Sequence, residues 1–230
     1  MKDLFGKALL DYQSGNYTED LITRSSVSGE DILPLSYLFR TYKEMPALEQ
    51  KALDLSYGKI LDIGCGSGSH SLYLQNKGLE VMAVDLSEGA VETCKLRGIK
   101  NAENINILDL KNTKFDTILA LMNGAGMSGK LKDLTAFLSH LKTLLKPGGQ
   151  ILTDSSDISY MFEDEEYYLE KSSDYYGEVI FTVTYKGETD DPFNWMYVDF
   201  NTLKKHAKAC GLSCKLVQEG EHYDYLARLT

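Results

Sequence analysis

Long hydrophobic runs are missing from this chain of 230 residues: no stretch approaches the roughly 18 apolar residues of a membrane span, and the opening Met1–Lys7 lacks a signal peptide's apolar core. A cytoplasmic protein with no membrane partner is expected. Cysteine is scarce, and Cys65, Cys94, Cys210 and Cys214 form no Cys-x-x-Cys pair, so reduced thiols are expected, with neither metal nor disulfide. Proline is equally scarce, and no Pro-rich or Ser-rich linker divides the chain, which points to one domain with elaborations. Positive charge is also short: the net charge is -10, and between Asp157 and Asp191 the many acids meet only Lys171 and Lys186, so nearly all the excess sits in that segment. A nucleic-acid partner needs a basic track for phosphates, and this chain has none. DNA and RNA are not expected as substrates.

What the chain does contain is a short apolar strand running into alternate glycines, Lys59-Ile-Leu-Asp-Ile-Gly-Cys-Gly-Ser-Gly-Ser69. Gly64, Gly66 and Gly68 lack a Cβ, so the main chain can take positive φ and a ligand can approach it closely. The run from His70 to Lys77 has helical apolar spacing and stops at Gly78, so the unit reads strand, glycine turn, helix. Spacing then discriminates between ligands. A dinucleotide loop wants Gly-x-Gly-x-x-Gly or Ala, but the third slot falls on Ser69 or Ser71 in the two registers. A triphosphate loop wants Gly-Lys-Ser or Gly-Lys-Thr, and the loop has no lysine. Asp62 stands where a phosphate loop avoids negative charge, and an acid there suits a ligand with an ammonium group.

Leu61 to Gly68 resembles the first motif of the class I S-adenosylmethionine-dependent methyltransferases, and further motifs follow in order. Asp85-Leu86 ends a second strand, Glu80–Val84, 19 residues past Gly66, the interval of a βαβ unit. Asp109-Leu110 ends a third strand over 104–108; Met122-Asn123-Gly124 follows a fourth over 115–121; a helix from Lys130 to Leu145 and a Lys-Pro-Gly-Gly turn lead to a fifth, 150–154. The resemblance implies a Rossmann-like α/β fold with a seven-stranded, mostly parallel sheet of order 3-2-1-4-5-7-6. It implies S-adenosylmethionine as cofactor and S-adenosylhomocysteine as product. The cofactor set it implies is Asp62, Gly64, Cys65, Gly66 and Gly68 at the amino acid end, Asp85 and Leu86 at the ribose, Asp109 and Leu110 at the adenine, and Met122 and Asn123 beside the methyl.

Four regions are expected: a mostly helical cap (1–56), the cofactor-binding core (57–156), an acidic insert with a β-hairpin (157–200), and a final helix with antiparallel strands (201–230). The insert holds Tyr160, Tyr167, Tyr168, Tyr175, Tyr176 and Tyr185, and acids with tyrosines can attract an ammonium group. A small-molecule acceptor is therefore expected, an amine or other cation among the candidates; a charged run of this kind also serves as an ordinary solvated face. Tyr12, Tyr17, Tyr37, Arg40 and Tyr42 of the cap are candidates to contact cofactor or acceptor. Transfer needs alignment, dryness and, for a hydroxyl or protonated amine, a base. His222, before the last strand, is the first candidate base by residue type; Asp154 and Asp157 follow strand five at the correct edge, and Asn123 lies beside the methyl. His70, His140 and His206 read as structural. Two rivals remain open on sequence grounds: a cofactor-binding protein without catalysis, and a nicotinamide-dependent oxidoreductase.

Overall fold

The computed structural model describes residues 2–162 and 175–230; Tyr167, Tyr168 and the acids between 163 and 174 lie outside the described residues. In chain order the elements are α1 (Leu4–Gln13), β1 (Leu21–Ser25), β2 (Gly29–Leu33), α2 (Leu35–Leu38), α3 (Ala47–Leu55), β3 (Lys59–Ile63), α4 (Ser69–Asn76), β4 (Glu80–Asp85), α5 (Glu88–Leu96), β5 (Ala102–Asn104), β6 (Phe115–Ala120), α6 (Leu131–Thr143), β7 (Leu145–Ser156), β8 (Glu178–Tyr185), β9 (Glu188–Thr189), β10 (Phe193–Met196), α7 (Phe200–Ala209), β11 (Cys214–Glu219) and β12 (Asp224–Leu229). Among the described residues, no helix is long and apolar enough to cross a membrane.

A Rossmann-like sheet of seven strands forms the core in the order β5-β4-β3-β6-β7-β12-β11, the order expected from the motifs. Strands β3 to β7 run parallel, and β12 lies antiparallel between β7 and β11. Side chains alternate across the sheet. Leu61, Ile63, Ile118 and Ile151 pack on one face against Leu134, Phe137 and Leu138 of α6 and Leu203 of α7. Ile60, Leu119, Leu152 and Leu226 pack on the other against Leu48, Ala52 and Leu53 of α3. Because both faces are covered, the central strands read as nearly continuous apolar runs. Each fully buried Leu or Ile contributes about 1.5–3 kcal/mol.

The cap departs from the mostly helical expectation. Residues 21–33 form the antiparallel hairpin β1–β2, and β1 also pairs with β8, so cap and insert share a second sheet of order β10-β8-β1-β2, with β9 on β8. The hairpin turns at Gly29, whose φ of +71° is open to glycine at no steric cost. Further ties join the two segments. Asp190 accepts from the backbone N–H groups of Lys2 and Leu4, and Asp11 accepts from Tyr185 Oη and Lys186 Nζ. The cap and the strands β8–β10 of the insert are thus joined in one unit, the lid.

The third core strand also differs: β5 covers only Ala102–Asn104, and residues Ile107–Asp109 form a 3-10 turn instead of continuing the strand. The cause is local. Asn106 Oδ1 accepts from Leu108 N at 3.0 Å, diverting the backbone from the ladder.

Candidate active site

The glycine turn leaves β3 at the carboxyl edge of the parallel strands, where Gly64 N and Cys65 N both donate to Val84 O of β4. Gly66 has φ +53°, and a Cβ added there would find only Phe5 Cε1, at 3.9 Å, so the space beside it is open. Gly68, at φ +80°, is required for packing: a Cβ there would lie 2.2 Å from Ile99 Cδ1 and 2.7 Å from Cys94 Sγ. The loop thus presents backbone on one side and is tightly backed on the other. Cys65 belongs to the backed side, its Sγ 3.7 Å from Cys94 Sγ; that contact and burial push its thiol pKa up.

Two acids flank the loop. Asp62, 2 % exposed, accepts from Ser71 Oγ at 2.6 Å, and burial raises its pKa, so it lies where a cation would relieve the cost of its charge. Asp85 ends β4 with Oδ2 accepting from Gly66 N and Oδ1 from Ser87 N, each at 2.9 Å. Burial raises its pKa and these two N–H groups oppose the rise. Leu86 beside it is 71 % exposed, an apolar side chain left open along the same edge. Asn104 Nδ2 braces this corner by donating to the carbonyls of Asp85 and Leu86. Asp109 is exposed on the 3-10 turn, whereas Leu110 turns into the core.

At the end of β6, Met122 and Asn123 both adopt positive φ, +62° and +60°, so the chain turns sharply there. Met122 is 38 % exposed. The Asn123 amide is already engaged: Oδ1 accepts from Ser155 Oγ at 2.7 Å, and Nδ2 donates to Met196 O at 3.2 Å. Next to it, Asp154 Oδ1 accepts from Gly124 N at 3.2 Å; burial pushes its pKa to about 6, with Gly124 N pulling against the rise.

The cap closes on the loop through contacts that the sequence does not announce. Leu38 O accepts from Ser67 Oγ and Ser69 Oγ. Arg40, Glu49 and His70, each more than nine-tenths buried, form a chain in which Arg40 Nη2 donates to the Glu49 carboxylate and His70 Nε2 lies 2.8 Å from Glu49 Oε2. Burial alone would raise the Glu49 pKa, but His70 and Arg40 outweigh it and hold the carboxyl below its usual range. Arg40 and His70 stand out singly in the sequence; Glu49, which joins them, carries no local signal.

His222 is exposed in the turn between β11 and β12, and its backbone N–H donates to Asp224 Oδ1. That turn lies at the same sheet edge, since Asp224 pairs with Ser156 and Asp157 N donates to Tyr223 O. A cleft of about 560 Å³ opens there, lined in part by Asp157, Asp199, Glu219, Tyr223 and Asp224. Tyr176 Oη donates to Asp157 and Tyr175 Oη to Asp199. His140 bonds Ile107 O and His206 bonds Thr135 Oγ1.

Comparison with known proteins gives four results. A family model described as a methyltransferase domain matches residues 61–153. The chain is 47% identical to a SAM-dependent methyltransferase from Bacteroides fragilis, crystallised in complex with S-adenosyl-L-homocysteine, over 100% of this chain and 94% of that one, with a TM-score of 0.92. It is 30% identical over 107 residues to the ubiquinone biosynthesis O-methyltransferase of Xanthomonas oryzae pv. oryzae, and this match spans 43% of this chain and 43% of that relative's length. Streptomyces venezuelae DesVI, at 19% identity over 85% of this chain and 95% of that one, with a TM-score of 0.58, shares the fold.

Proposed function

The chain belongs to the S-adenosylmethionine-dependent methyltransferases, and we propose that it binds S-adenosylmethionine along the trough from the glycine turn to Asn123 and catalyses methyl transfer to a small-molecule acceptor. The observation that carries this reading is the junction of the glycine turn with Asp85, whose carboxylate accepts from Gly66 N at 2.9 Å beside an open face of backbone. The residues suit the cofactor: Asp62 would take its ammonium group, Asp85 the ribose hydroxyls, the open Leu86 and the Asp109–Leu110 turn the adenine, and Met122 with Asn123 the side next to the methyl.

When bound, the sulfonium supplies an electrophilic methyl carbon. The protein's part is to hold an acceptor in line with it, exclude water and take up a proton. The lid covers the carboxyl edge, with the Leu38 carbonyl clamped onto Ser67 and Ser69. Asp154 is the group best suited to accept a proton, because a carboxyl titrating at about 6 is ionised at neutral pH and still basic. His222, exposed in its turn, is second.

The acceptor side favours a cation. Asp154, Asp157 and Asp224 share this edge with Tyr37, Tyr176 and Tyr223, a combination that attracts an ammonium group. An oxygen acceptor is the second reading, favoured by the O-methyltransferase relative. Turnover across amine, phenol and carboxylate panels separates the two, and no preference for amines would end the first. Calorimetry with S-adenosylmethionine and S-adenosylhomocysteine tests the functional reading itself; binding of neither would overturn it.

A further inference from the structure

Val198, fully buried where the lid strand β10 leads into α7, places neither backbone polar group in a sheet ladder. Its N–H donates to Ser155 Oγ at 2.9 Å, and its carbonyl accepts from Tyr225 Oη at 2.7 Å. Ser155, 1 % exposed on β7, donates its one hydroxyl proton to Asn123 Oδ1, and Asn123 Nδ2 returns to Met196 O. Val198, Ser155, Asn123 and Met196 close a ring through the backbone of Tyr197, joining the core strand, the loop at the end of β6 and the lid. A hydroxyl suits the junction because it donates and accepts at once, which alanine cannot do. A second contact lies alongside: Trp195 of β10 sits on the backbone of Gly126, where an added Cβ would come within 2.3 Å of the indole Nε1.

We propose that Ser155 is a positioning residue that registers β10 of the lid against the Met122–Asn123 loop, so that the acceptor wall and the methyl edge keep one spacing and filling of the trough is transmitted to Trp195. This rests on the reading that the trough holds S-adenosylmethionine. A displacement of the Met122–Asn123 loop passes to Met196 through one hydrogen bond and to Val198 through the two made by Ser155.

Trp195 is the chain's only tryptophan, so its emission reports the lid contact directly. S-adenosylhomocysteine is titrated into the wild type, Ser155→Ala and Gly126→Ala, with affinity read by calorimetry and the lid by Trp195 emission and amide exchange over 195–198. In the wild type, binding changes the emission and slows exchange. In Ser155→Ala the affinity stays within about threefold of wild type, the emission change is lost, and exchange at 195–198 quickens by about tenfold or more. Gly126→Ala, which pushes the indole off the loop, gives the same pattern and serves if Ser155→Ala fails to fold. An undiminished emission response in the variants, no response in a wild type that does bind, or a loss of more than about tenfold in Ser155→Ala affinity would overturn the proposal. A wild type that binds no S-adenosylhomocysteine would instead overturn the functional reading, and this inference with it.

Discussion

Replacing Asp154 by asparagine should stabilise the protein at neutral pH. Burial moves this carboxyl from an ordinary 3.8 to about 6, with the Gly124 amide opposing the shift and the Glu49 carboxylate adding to it. A rise of about two units corresponds to about 3 kcal/mol. The sign follows from which state holds the proton more tightly. The folded pKa is the higher, so ionisation costs the folded state nothing below about 4, an increasing amount between 4 and 6, and the whole amount above. The amide of Asp154→Asn would carry no charge and would keep an oxygen for Gly124 N, at the expense of a buried NH2 that needs partners. A net gain of about 1–3 kcal/mol at pH 7.5 is expected, or about 2–12 °C in melting temperature for a chain of this size. Urea and thermal unfolding of both proteins at pH 7.5 and pH 5 would measure it, and the gap should shrink by about half at the lower pH. A less stable variant at pH 7.5, or a gap indifferent to pH, would refute the reasoning. Retaining an ionised carboxylate at such a cost fits a group held for proton transfer.

Three other perturbations probe separate parts of the molecule. Asp85→Ala should weaken S-adenosylhomocysteine binding by about 1.5–3 kcal/mol in calorimetry if the carboxylate makes charge-assisted hydrogen bonds to ribose; unchanged affinity would make Asp85 only a brace for Gly66. Glu49→Gln strips the buried Arg40 guanidinium of its counter-charge and should cost about 3–5 kcal/mol in urea unfolding. A loss below about 1 kcal/mol there would mean that Arg40 swings out to water. Gly89→Ala would put a methyl 2.4 Å from the Gly6 carbonyl carbon, wedging α1 off α5 at about 1–3 kcal/mol; an unmoved denaturation midpoint would show that the two helices slide apart freely.

The sheet and the glycine turn that meets Asp85 at its edge were legible because their signals are local. A strand, a glycine turn and an acid at the next strand's end sit within some twenty-five residues and need no tertiary partner to be read. The lid sheet was legible in part: the insert's hairpin, β8 with β10, was expected, whereas β1 and β2 were not, since β1 meets β8 across 154 positions, as between Ser26 and Ile180. Glu49 and Ser155 escaped for the same reason: an acid in the first turn of α3 and a serine near the end of β7 acquire their roles only from what folds against them. The third strand was misplaced because Ile105 and Ile107 alternate as a strand would, while the intervening Asn106 turns the chain with its own side chain.

A lid drawn from the first residues and from an insert that meets them across 154 positions also dictates an order of events during synthesis. The hairpin β1–β2 leaves the ribosome long before β8 exists, and a two-stranded hairpin is marginal alone in water. At about 5–20 residues per second, the 154 positions between Ser26 and Ile180 amount to about 8–30 s. In that interval the glycine turn, Asp85 and the Asn123 loop are all made, and β12 and β11 are still to come. The residues proposed to hold the cofactor are thus made before the second sheet can form beside them, and the exposed edge of β1 is what a chaperone would meet first.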